Sequence, residues 1–289
     1  MFSYRQIKEL PESYVKSKIA EYLKEDAPDG DITAEPIFSG SGNSTMVIKS
    51  KEKGIFSGES ILKHAFSDFD IKIHLSDGDQ LKKKSIIAEI TGPTLDLLIL
   101  ERTVLNLLQR LCGIATCTNK FVKLLEGSGI GVLDTRKTIP GMRMFEKYAV
   151  YCGGGTNHRF NLSEGVMIKD NHISAAGSIG DAVSKVRSFL ATKRPDTKIE
   201  VEIDRFDQLQ EALDAGADGL LLDNMNTKET IECISFIRNH PKGKDVVIES
   251  SGGINLHNVR SYIGTGIDYI STGAITHSAP SIDIHAEIE

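Results

Sequence analysis

The spacing of apolar residues changes character near residue 94. Before that point, short apolar runs are separated by Gly and Asp turns, a pattern typical of a small β-sheet. The runs cover residues 45–50, 54–59, 71–75 and 85–91, and a helical pattern covers residues 12–23. The first third of the chain therefore predicts a small sheet with a flanking helix.

A long amphipathic helix is predicted from Thr94 towards residue 126, after a Gly-Pro turn. Leucines and valines at steps of three and four form its apolar face. A separate polar stripe at i, i+4 and i+7 consists of Arg102, Asn106 and Gln109. Periodicity alone leaves two interpretations of this stripe, a solvated face or a set of functional side chains.

From residue 131 onwards, short apolar runs alternate with helical patterns, as in successive strand-helix units. The runs begin near residues 131, 165, 199, 219, 246 and 269. A parallel barrel is the natural closure of such units. The C-terminal ends of its strands would converge on one mouth, where barrel enzymes place their active sites.

Each of these runs carries polar residues at or just after its end, and three carboxylates alternate along the third run. Glu200, Glu202 and Asp204 are therefore expected on one face of their strand. Three carboxylates on one face would repel one another unless cations lie close to them. This arrangement favours a Mg²⁺ or sugar-hydroxyl site that also includes Asp223. For Glu200, pairing with a core Lys or Arg is an equally open interpretation.

The charge pattern points to a small anion. The whole chain has a net charge of -6, yet residues 132–172 carry six Lys or Arg against four carboxylates. A cationic pocket in an acidic protein suits a ligand with several negative groups, because the Arg fork pairs bidentately with carboxylate or phosphate. The pI of about 5.8 argues against a general nucleic-acid or anionic-membrane surface.

Length and composition predict a globular enzyme of two domains, since 289 residues with 40% hydrophobic content can bury a large core. The charged first twenty residues contain no apolar signal-peptide core, and no apolar run reaches the ~18 residues of a membrane span. Four cysteines, Cys112, Cys117, Cys152 and Cys233, show no CxxC pair and no metal-ligand spacing. We expect reduced, buried thiols in a cytoplasmic protein.

Two glycine-containing segments predict a phosphate site at the last two strands. Gly252-Gly253, with a helix expected after it, is followed one unit later by Ser271-Thr272-Gly273. Glycine lets backbone N–H groups approach phosphate oxygens, and a helix N-terminus favours negative charge. A lone Gly-Gly is usually only a turn, but the pair of segments favours phosphate binding.

Seven motifs in order resemble the quinolinate phosphoribosyltransferase family. They are ERTVLN (101–106), DTRKT (134–138), GGGTNHR (153–159), IKDNH (168–172), LDNM (222–225), SGGI (251–254) and THS (276–278). The likeness runs along nearly the whole chain, although Ser250 stands where the family often has alanine. A related molybdenum-associated family shares the fold and two of the motifs, but IKDNH resembles the transferase.

The resemblance implies an N-terminal α/β sandwich and a C-terminal open α/β barrel, as in type II phosphoribosyltransferases. The expected limits are 1–105 for the sandwich and 106–274 for the barrel, and whether the tail 275–289 joins the sandwich stays open. The resemblance also implies a homodimer, with higher assembly left open, in which Arg102 reaches the partner's active site. The implied reaction joins quinolinate to phosphoribosyl pyrophosphate and gives nicotinate mononucleotide, pyrophosphate and CO₂, with Mg²⁺ as cofactor.

The resemblance assigns roles to the charged and glycine-rich segments found above, with catalysis given to Lys137, Lys169, Glu202 and Asp223. In the family, the quinolinate carboxylates would be bound by Arg136, His158, Arg159 and Lys169. The phosphate would be bound by Ser251, Gly252, Gly253 and Gly273. Mg²⁺ and the ribose would be bound by Glu202 and Asp223, and the pyrophosphate by Lys137. Whether Glu200 or Asp204 shares the Mg²⁺ role stays open.

Two other classes of protein stay open from the residues themselves. One is a barrel aldolase or epimerase acting on a sugar phosphate, in which Lys137 or Lys169 would form a Schiff base. The other is a non-catalytic accessory protein that binds an anion or a metal. Borohydride trapping of a carbonyl substrate would favour the first, and anion binding without consumption of a phosphoribosyl donor would favour the second.

Overall fold

The computed structural model describes residues 4–38 and 42–289. Contacts among residues divide the chain into two compact units. The barrel unit contains Tyr4, Arg5, Lys120–Lys137 and Gly155–Ala274, and the sheet unit contains Gln6–Asn119, Thr138–Gly154 and Ile275–Glu289. The domain limits proposed from the resemblance stay a prediction.

The helices and strands follow one another along the chain in an irregular order in the first third and in near alternation afterwards. The helices are α1 (Glu12–Asp26), α2 (Ala34–Phe38), α3 (Glu59–Ala65), α4 (Thr94–Leu124), α5 (Arg143–Cys152), α6 (Asp170–Ala176), α7 (Ile179–Lys193), α8 (Gln208–Asp214), α9 (Thr227–Asn239) and α10 (Ala274–His277). The strands are β1 (Asn43–Ser50), β2 (Gly54–Ile55), β3 (Asp70–Ile73), β4 (Gln80–Leu81), β5 (Ile86–Pro93), β6 (Gly131–Leu133), β7 (Val166–Ile168), β8 (Ile199–Ile203), β9 (Gly219–Asp223), β10 (Val247–Ser251), β11 (Tyr269–Ser271) and β12 (Ile284–Ile288).

The sheet unit is built on an antiparallel sheet of four strands in the order β12-β1-β5-β3, with a small pair β2-β4 beside it. This confirms the small sheet and the flanking helix α1. The run predicted over 54–59 is a strand only at its start. The reason is local, because a side-chain oxygen of Asp77 accepts the backbone N–H groups of Gly58 and Glu59 and so starts helix α3 there.

Helix α4 begins at the predicted residue and runs for 31 residues. Within the sheet unit it approaches the C-terminal segment closely, since a Cβ added to Gly113 would lie 2.1 Å from the carbonyl oxygen of Pro280. The side chains of the polar stripe lie in different environments. Gln109 donates its side-chain N–H to the carbonyl of Ile284 at 2.8 Å, whereas the Arg102 side chain is 57% exposed.

The barrel unit contains six parallel strands in the order β6-β11-β10-β9-β8-β7. Every predicted run of the barrel is a strand, with bounds shifted by at most one residue at its start. Strands β6 and β7 lie at the two ends of this order, and no pairing joins them among the described residues. The sheet is therefore an open α/β barrel, as the resemblance implied.

Two expectations about the barrel need correction. The helix expected after Gly252-Gly253 is only a short 3₁₀ helix of four residues, Val259–Tyr262, and a loop separates it from the glycines. Asp204 lies beyond the end of β8, where its exposed side chain pairs with Arg205 at 3.5 Å instead of facing the barrel interior. The prediction assumed that strand β8 includes residue 204, but β8 ends at Ile203.

Burial of the cysteines agrees only in part with expectation, because Cys112 and Cys233 are buried while Cys117 and Cys152 are half-buried. Within the two described ranges of the chain, no helix combines the length and the apolar character needed to cross a membrane.

Candidate active site

A cavity of about 400 Å³ opens at the C-terminal ends of the barrel strands. Its lining includes most of the charged residues that the sequence predicted for the site. The predicted residues that line it are Arg136, Lys137, His158, Arg159, Lys169, Glu202, Asp223 and Ser251. Other lining residues include Asp134, Met167, Leu221, Glu249 and Ser271. The strand ends thus converge as a parallel barrel requires.

Cationic side chains meet in this cavity. Arg136 and Lys137 are exposed, whereas Arg159 is only 6% exposed and donates from its guanidinium to the carbonyl of Gly165 at 2.9 Å. Burial and the neighbouring charge of Arg136 lower the pKa of Arg159. Two guanidinium groups close enough to repel each other are stabilised by a bound anion, so the cavity has the electrostatics of a polyanion site.

Two of the four carboxylates that line the cavity, Glu202 and Asp223, were predicted for the site. Glu202, on β8, forms an ion pair with Lys169, which follows β7, and the two strands are adjacent with Ile168 paired to Val201. Asp223 ends β9 and accepts a hydrogen bond from the side chain of Asn224 at 2.7 Å. The site therefore offers anionic oxygen ligands beside its cationic donors.

Asp134 organises the chain segment that carries Arg159. This carboxylate is fully buried and accepts the side-chain N–H of Asn157 and the backbone N–H of His158, each at 2.8 Å. Asp134 follows strand β6 and the His158 segment follows Gly155, so one side chain ties together two motifs that are distant in sequence. Buried backbone donors need such partners, because an unmet donor costs about 1–3 kcal/mol.

His158 lies in a buried cluster with two carboxylates. Its Nε2 atom is 3.3 Å from Oε2 of Glu200 and 3.5 Å from Oε2 of Glu249. Its Nδ1 atom accepts the backbone N–H of Arg159 at 2.7 Å, and the Tyr4 ring stacks on the imidazole with centroids 4.7 Å apart. Glu200 therefore pairs with a histidine, and the suggested partner from a core Lys or Arg is wrong.

The environment of this cluster shifts its titration. Burial and the charge of Glu249 raise the pKa of Glu200 to about 7. Burial lowers the pKa of His158, but the carboxylates of Glu249 and Glu200 outweigh it, so the net shift is upward. Burial also raises the pKa of the Tyr4 hydroxyl. The side chains of His158, Glu200 and Glu249 therefore influence one another's titration through their charges.

Sequence reasoning did not assign Glu249 or Tyr4 to the site. A signal existed for Glu249, because a carboxylate inside an apolar strand, two residues before Ser251, must share the face of Ser251. No signal marked Tyr4, since its contact with His158 joins residues far apart in the sequence.

The glycine segment after β10 makes a tight turn against the end of β9. Gly252 has φ +87°, and a Cβ added there would lie 2.2 Å from Oδ1 of Asn224. The backbone N–H of Asn224 donates to the carbonyl of Ser251 at 2.9 Å. Thr272, next to Gly273, donates to the carbonyl of Ile254 at 2.9 Å. The two glycine-containing loops are therefore neighbours, as a phosphate cradle at the last two strands requires, although the helix after Gly253 is only a short 3₁₀ helix.

Arg102 is not among the residues that line the cavity. It lies on α4 in the sheet unit, and its guanidinium is 3.7 Å from the carboxylate of Glu101. Its expected role in a partner's site stays a prediction.

Fold and site together define a class of protein. An open α/β barrel carries, at the C-terminal ends of its strands, a cavity with clustered Arg and Lys, two carboxylates and adjoining glycine loops. That combination is typical of a barrel enzyme acting on a phosphorylated, polyanionic substrate.

Comparison with known proteins identifies the family. Residues 31–112 match the family model "Quinolinate phosphoribosyl transferase, N-terminal domain", and residues 114–287 match "Quinolinate phosphoribosyl transferase, C-terminal domain". The chain belongs to the quinolinate phosphoribosyltransferase family. Membership confirms the resemblance seen in the motifs and decides against both an aldolase or epimerase and a non-catalytic accessory protein.

Individual relatives are similar along their whole length. The chain is 45% identical over 278 residues to the probable nicotinate-nucleotide pyrophosphorylase [carboxylating] of Bacillus subtilis, covering 95% of this chain and 93% of that one. It is 35% identical to the Mycobacterium leprae nicotinate-nucleotide pyrophosphorylase [carboxylating], covering 94% and 96%. The solved structure of the nicotinate-nucleotide pyrophosphorylase from Francisella tularensis superposes with a TM-score of 0.91 at 35% identity, covering 99% and 100%.

Proposed function

We propose that this protein transfers the phosphoribosyl group of phosphoribosyl pyrophosphate to quinolinate, with loss of one carboxylate as CO₂, in the biosynthesis of NAD. The products are nicotinate mononucleotide, pyrophosphate and CO₂. The names of the relatives and the family support this reaction. The structural observation that carries it is the convergence of Arg136, Arg159 and Lys169 in one cavity beside Glu202 and Asp223.

The cationic groups suit the two adjacent carboxylates of quinolinate. Arg136 and Arg159 each offer a planar fork that can bind a carboxylate with two parallel hydrogen bonds, and Lys169 adds a point charge. With both carboxylates held, the ring nitrogen of quinolinate is fixed in direction towards C1 of the ribose. Orientation of this kind lowers the barrier of a reaction between two bound partners. His158 differs from the other three, because both of its ring nitrogens face protein atoms.

The order of bond changes follows from charge. The bond from ribose C1 to the pyrophosphate oxygen breaks, and C1 becomes positive while the leaving group becomes more negative. We propose that Lys137, exposed at the rim, stabilises the pyrophosphate. The ring nitrogen then bonds to C1 and becomes cationic. That charge draws electrons from the adjacent carboxylate, so its bond to the ring breaks, CO₂ leaves, and the ring carbon takes up a proton.

The carboxylates present fit a Mg²⁺ ion. Glu202 and Asp223 line the same cavity and supply hard oxygen ligands, the kind that Mg²⁺ prefers alongside substrate phosphates. We propose that they hold Mg²⁺ together with the ribose hydroxyls. When bound, the ion would neutralise charge that builds up on the pyrophosphate. Lys169 forms an ion pair with Glu202, which holds that carboxylate in place at the cavity.

The phosphate of the ribose is assigned to the glycine loops. Ser251 lines the cavity, and Gly252 and Gly253, with φ +87° and +62°, leave backbone N–H groups unshielded by side chains. We propose that these residues and Gly273 bind the phosphate through hydroxyl and backbone donors.

We further propose a homodimer with shared active sites and a cytoplasmic location. Arg102 is exposed and does not line the cavity of its own chain, which agrees with the role that the family resemblance gives it in the partner's site. In a two-fold dimer, two equivalent composite sites would result.

The test of the reaction is direct. Purified protein incubated with quinolinate, phosphoribosyl pyrophosphate and Mg²⁺ should form nicotinate mononucleotide and CO₂ in equal amounts. Arg136→Ala and Arg159→Ala should each nearly abolish turnover without a change in Tm. The matched control is Arg194→Ala, because Arg194 is exposed, donates to the carbonyl of Ser163 in the segment before β7, and does not line the cavity. Absence of product from the parent protein would refute the assignment.

A further inference from the structure

The ring of Tyr4 contacts the candidate site, although Tyr4 is not among the residues that line the cavity. It stacks on the imidazole of His158, with ring centroids 4.7 Å apart and an interplanar angle of 26°. His158 lines the cavity and is one of the four side chains that the family resemblance assigns to the quinolinate carboxylates. The reaction derived above gives Tyr4 no role, so this contact needs a separate explanation.

The chain just before strand β7 leaves room for the Tyr4 ring. Gly165 is buried, and a Cβ added to it would lie 2.6 Å from Cε1 of Tyr4. The same Cβ would lie 3.4 Å from the Cβ atom of Arg159. The carbonyl of Gly165 also accepts a hydrogen bond from the Arg159 guanidinium at 2.9 Å. Gly165 therefore lies against both the Tyr4 ring and the Arg159 side chain, and any larger residue would displace the ring.

The carboxylate of Glu164 ties the backbone next to Tyr4 to the same loop. Its Oε1 atom accepts the backbone N–H of Arg5 at 3.3 Å, and its Oε2 atom accepts the backbone N–H of Phe160. Arg5 follows Tyr4 and Phe160 follows Arg159, so one carboxylate joins the backbones beside both side chains. The position of the Tyr4 ring is thereby fixed relative to the loop that carries His158 and Arg159.

The Tyr4 hydroxyl stays protonated in this environment. Burial, followed by the charges of Glu200 and Glu249, raises the pKa of Tyr4 above its ordinary value. The ring therefore covers the imidazole of His158 without adding a third negative charge beside these two carboxylates. What Tyr4 supplies at this position is the shape of its ring.

We propose, resting on the proposed function, that Tyr4 is a positioning residue for quinolinate. Its ring restricts rotation of the His158 imidazole and, through its contact with Gly165, keeps the Arg159 guanidinium in place. His158 and Arg159 both line the cavity, so the ring fixes two of the groups assigned to the substrate carboxylates. The effect is on quinolinate, because phosphoribosyl pyrophosphate is assigned to other residues.

The first test does not depend on turnover. A proton that lies over the face of an aromatic ring resonates upfield, so the carbon-bound ring protons of His158 should be shifted upfield in the parent protein. Their signals are assigned in ¹³C-histidine-labelled protein from their loss in His158→Asn. They should move downfield in Tyr4→Ala and stay in place in Tyr4→Phe, which keeps the ring. Unchanged signals in Tyr4→Ala would show that the two rings do not stack and would overturn the proposal.

The second test separates positioning of the substrate from support of the fold. Tyr4→Ala should raise the KM for quinolinate about 3- to 10-fold, the factor that corresponds to loss of an aromatic pair, and leave kcat and the KM for phosphoribosyl pyrophosphate within about twofold. Tyr4→Phe should restore the parental KM. An equal rise in both KM values, or a fall in kcat alone, would overturn the proposal. A Tyr4→Phe variant as impaired as Tyr4→Ala would also overturn it, since the hydroxyl and not the ring would then matter.

Gly165→Ala perturbs the same contact from the side of strand β7. The added Cβ would displace the Tyr4 ring, so we expect a rise in the KM for quinolinate similar to that of Tyr4→Ala. In Tyr4→Ala the ring is gone, so adding Gly165→Ala should cause little further change, the non-additivity expected of residues in contact. Two effects that simply multiply in the double variant would contradict a shared contact.

The matched control is Phe206→Ala, also in the barrel unit. Phe206 packs edge-on against Phe236 with ring centroids 5.3 Å apart, is exposed, and lies outside the cavity lining. Loss of this aromatic pair should change neither KM nor the His158 signals. A comparable rise in the KM for quinolinate would show that loss of any aromatic pair weakens binding, against a specific role of Tyr4. Failure of the proposed function would instead be seen as an inactive parent protein, while the His158 signals would still show whether Tyr4 stacks on the imidazole.

Discussion

Removing one carboxylate from the substrate tests the cationic cavity more sharply than removing a residue, because the protein stays unchanged. Nicotinate lacks one of the two carboxylates of quinolinate and would give the same nucleotide product without release of CO₂. In its complex, one of the groups Arg136, Arg159 and Lys169 would lose its anionic partner. We expect the protein to use quinolinate and largely reject nicotinate.

The magnitude follows from the contacts available. A hydrogen bond to a charged group contributes roughly 1.5–3 kcal/mol, and a fork that loses a carboxylate loses about two such bonds, or about 3–6 kcal/mol. Each 1.36 kcal/mol changes the rate about tenfold, so kcat/KM for nicotinate should be lower by roughly 10²- to 10⁴-fold. The low exposure of Arg159 favours the upper part of that range, since its lost partner is poorly replaced by water.

The assay measures nicotinate mononucleotide formed from each substrate at saturating phosphoribosyl pyrophosphate and Mg²⁺. In Arg136→Ala and Arg159→Ala the ratio of the two kcat/KM values should shrink in the variant whose arginine binds the carboxylate absent from nicotinate. Arg194→Ala should keep the parental ratio. Comparable kcat/KM values for nicotinate and quinolinate in the parent would refute a site built for two carboxylates.

Three further predictions concern assembly, metal and stability. Arg102→Ala and Arg136→Ala, each inactive alone, should recover roughly a quarter of parental activity when they are mixed and exchange subunits, since half the dimers would be mixed and would have one intact site each. Verified exchange without recovery would show that Arg102 does not act in the partner's site. Glu202→Gln should require at least about tenfold more Mg²⁺ for half-maximal turnover, because one of two proposed ligands loses its charge; an unchanged Mg²⁺ titration would contradict the assignment. Burial alone would raise the pKa of Asp218, but the hydrogen bond from the Ile199 N–H and the contacts with two cations outweigh burial, so the net shift is downward. The stability that the Asp218 carboxylate contributes is therefore present above about pH 4 and is lost as the pH falls through the lowered pKa. Asp218→Asn should therefore lower the free energy of unfolding by about 1–3 kcal/mol at pH 7, and urea titrations should show this difference shrinking below pH 4; a constant difference at all pH values would contradict the charge argument.

The fold was predictable because its signals are local. Alternation of apolar runs and helical patterns predicted all six barrel strands, and the periodicity after Thr94 predicted α4 from its first residue. Errors arose where a local pattern ends. Asp204 continues the alternation of β8 in sequence, but the strand stops at Ile203 and the side chain turns to solvent. The helix expected after Gly253 begins only at Val259, because residues 255–258 form a turn in which the backbone N–H of Asn255 donates to the side chain of Asn258.

The candidate site was predictable only in its charged residues. Their positions at strand ends, together with the motifs, indicated which side chains would meet in the cavity. The partners of His158 could not be predicted, since Glu200 and Glu249 lie on β8 and β10, separated by β9 in the sheet order. Whether side chains on strands that do not pair reach one another depends on the curvature and register of the barrel, which no run of sequence records.

The pairing of β12 with β1 has a consequence for how the chain folds. Met46 pairs with Ile288 and Val47 with Glu287, so one ladder of the sheet joins a strand that precedes the barrel segment to a strand that follows it. During synthesis, β1 leaves the ribosome long before its partner exists, and all six barrel strands are made in the interval. During that time the edge of β1 that later pairs with β12 has unpaired backbone N–H and C=O groups, and such an edge can pair with the wrong strand or aggregate. The ladder between β1 and β12 can therefore form only after the whole barrel segment has been made, and it is a contact of high sequence separation.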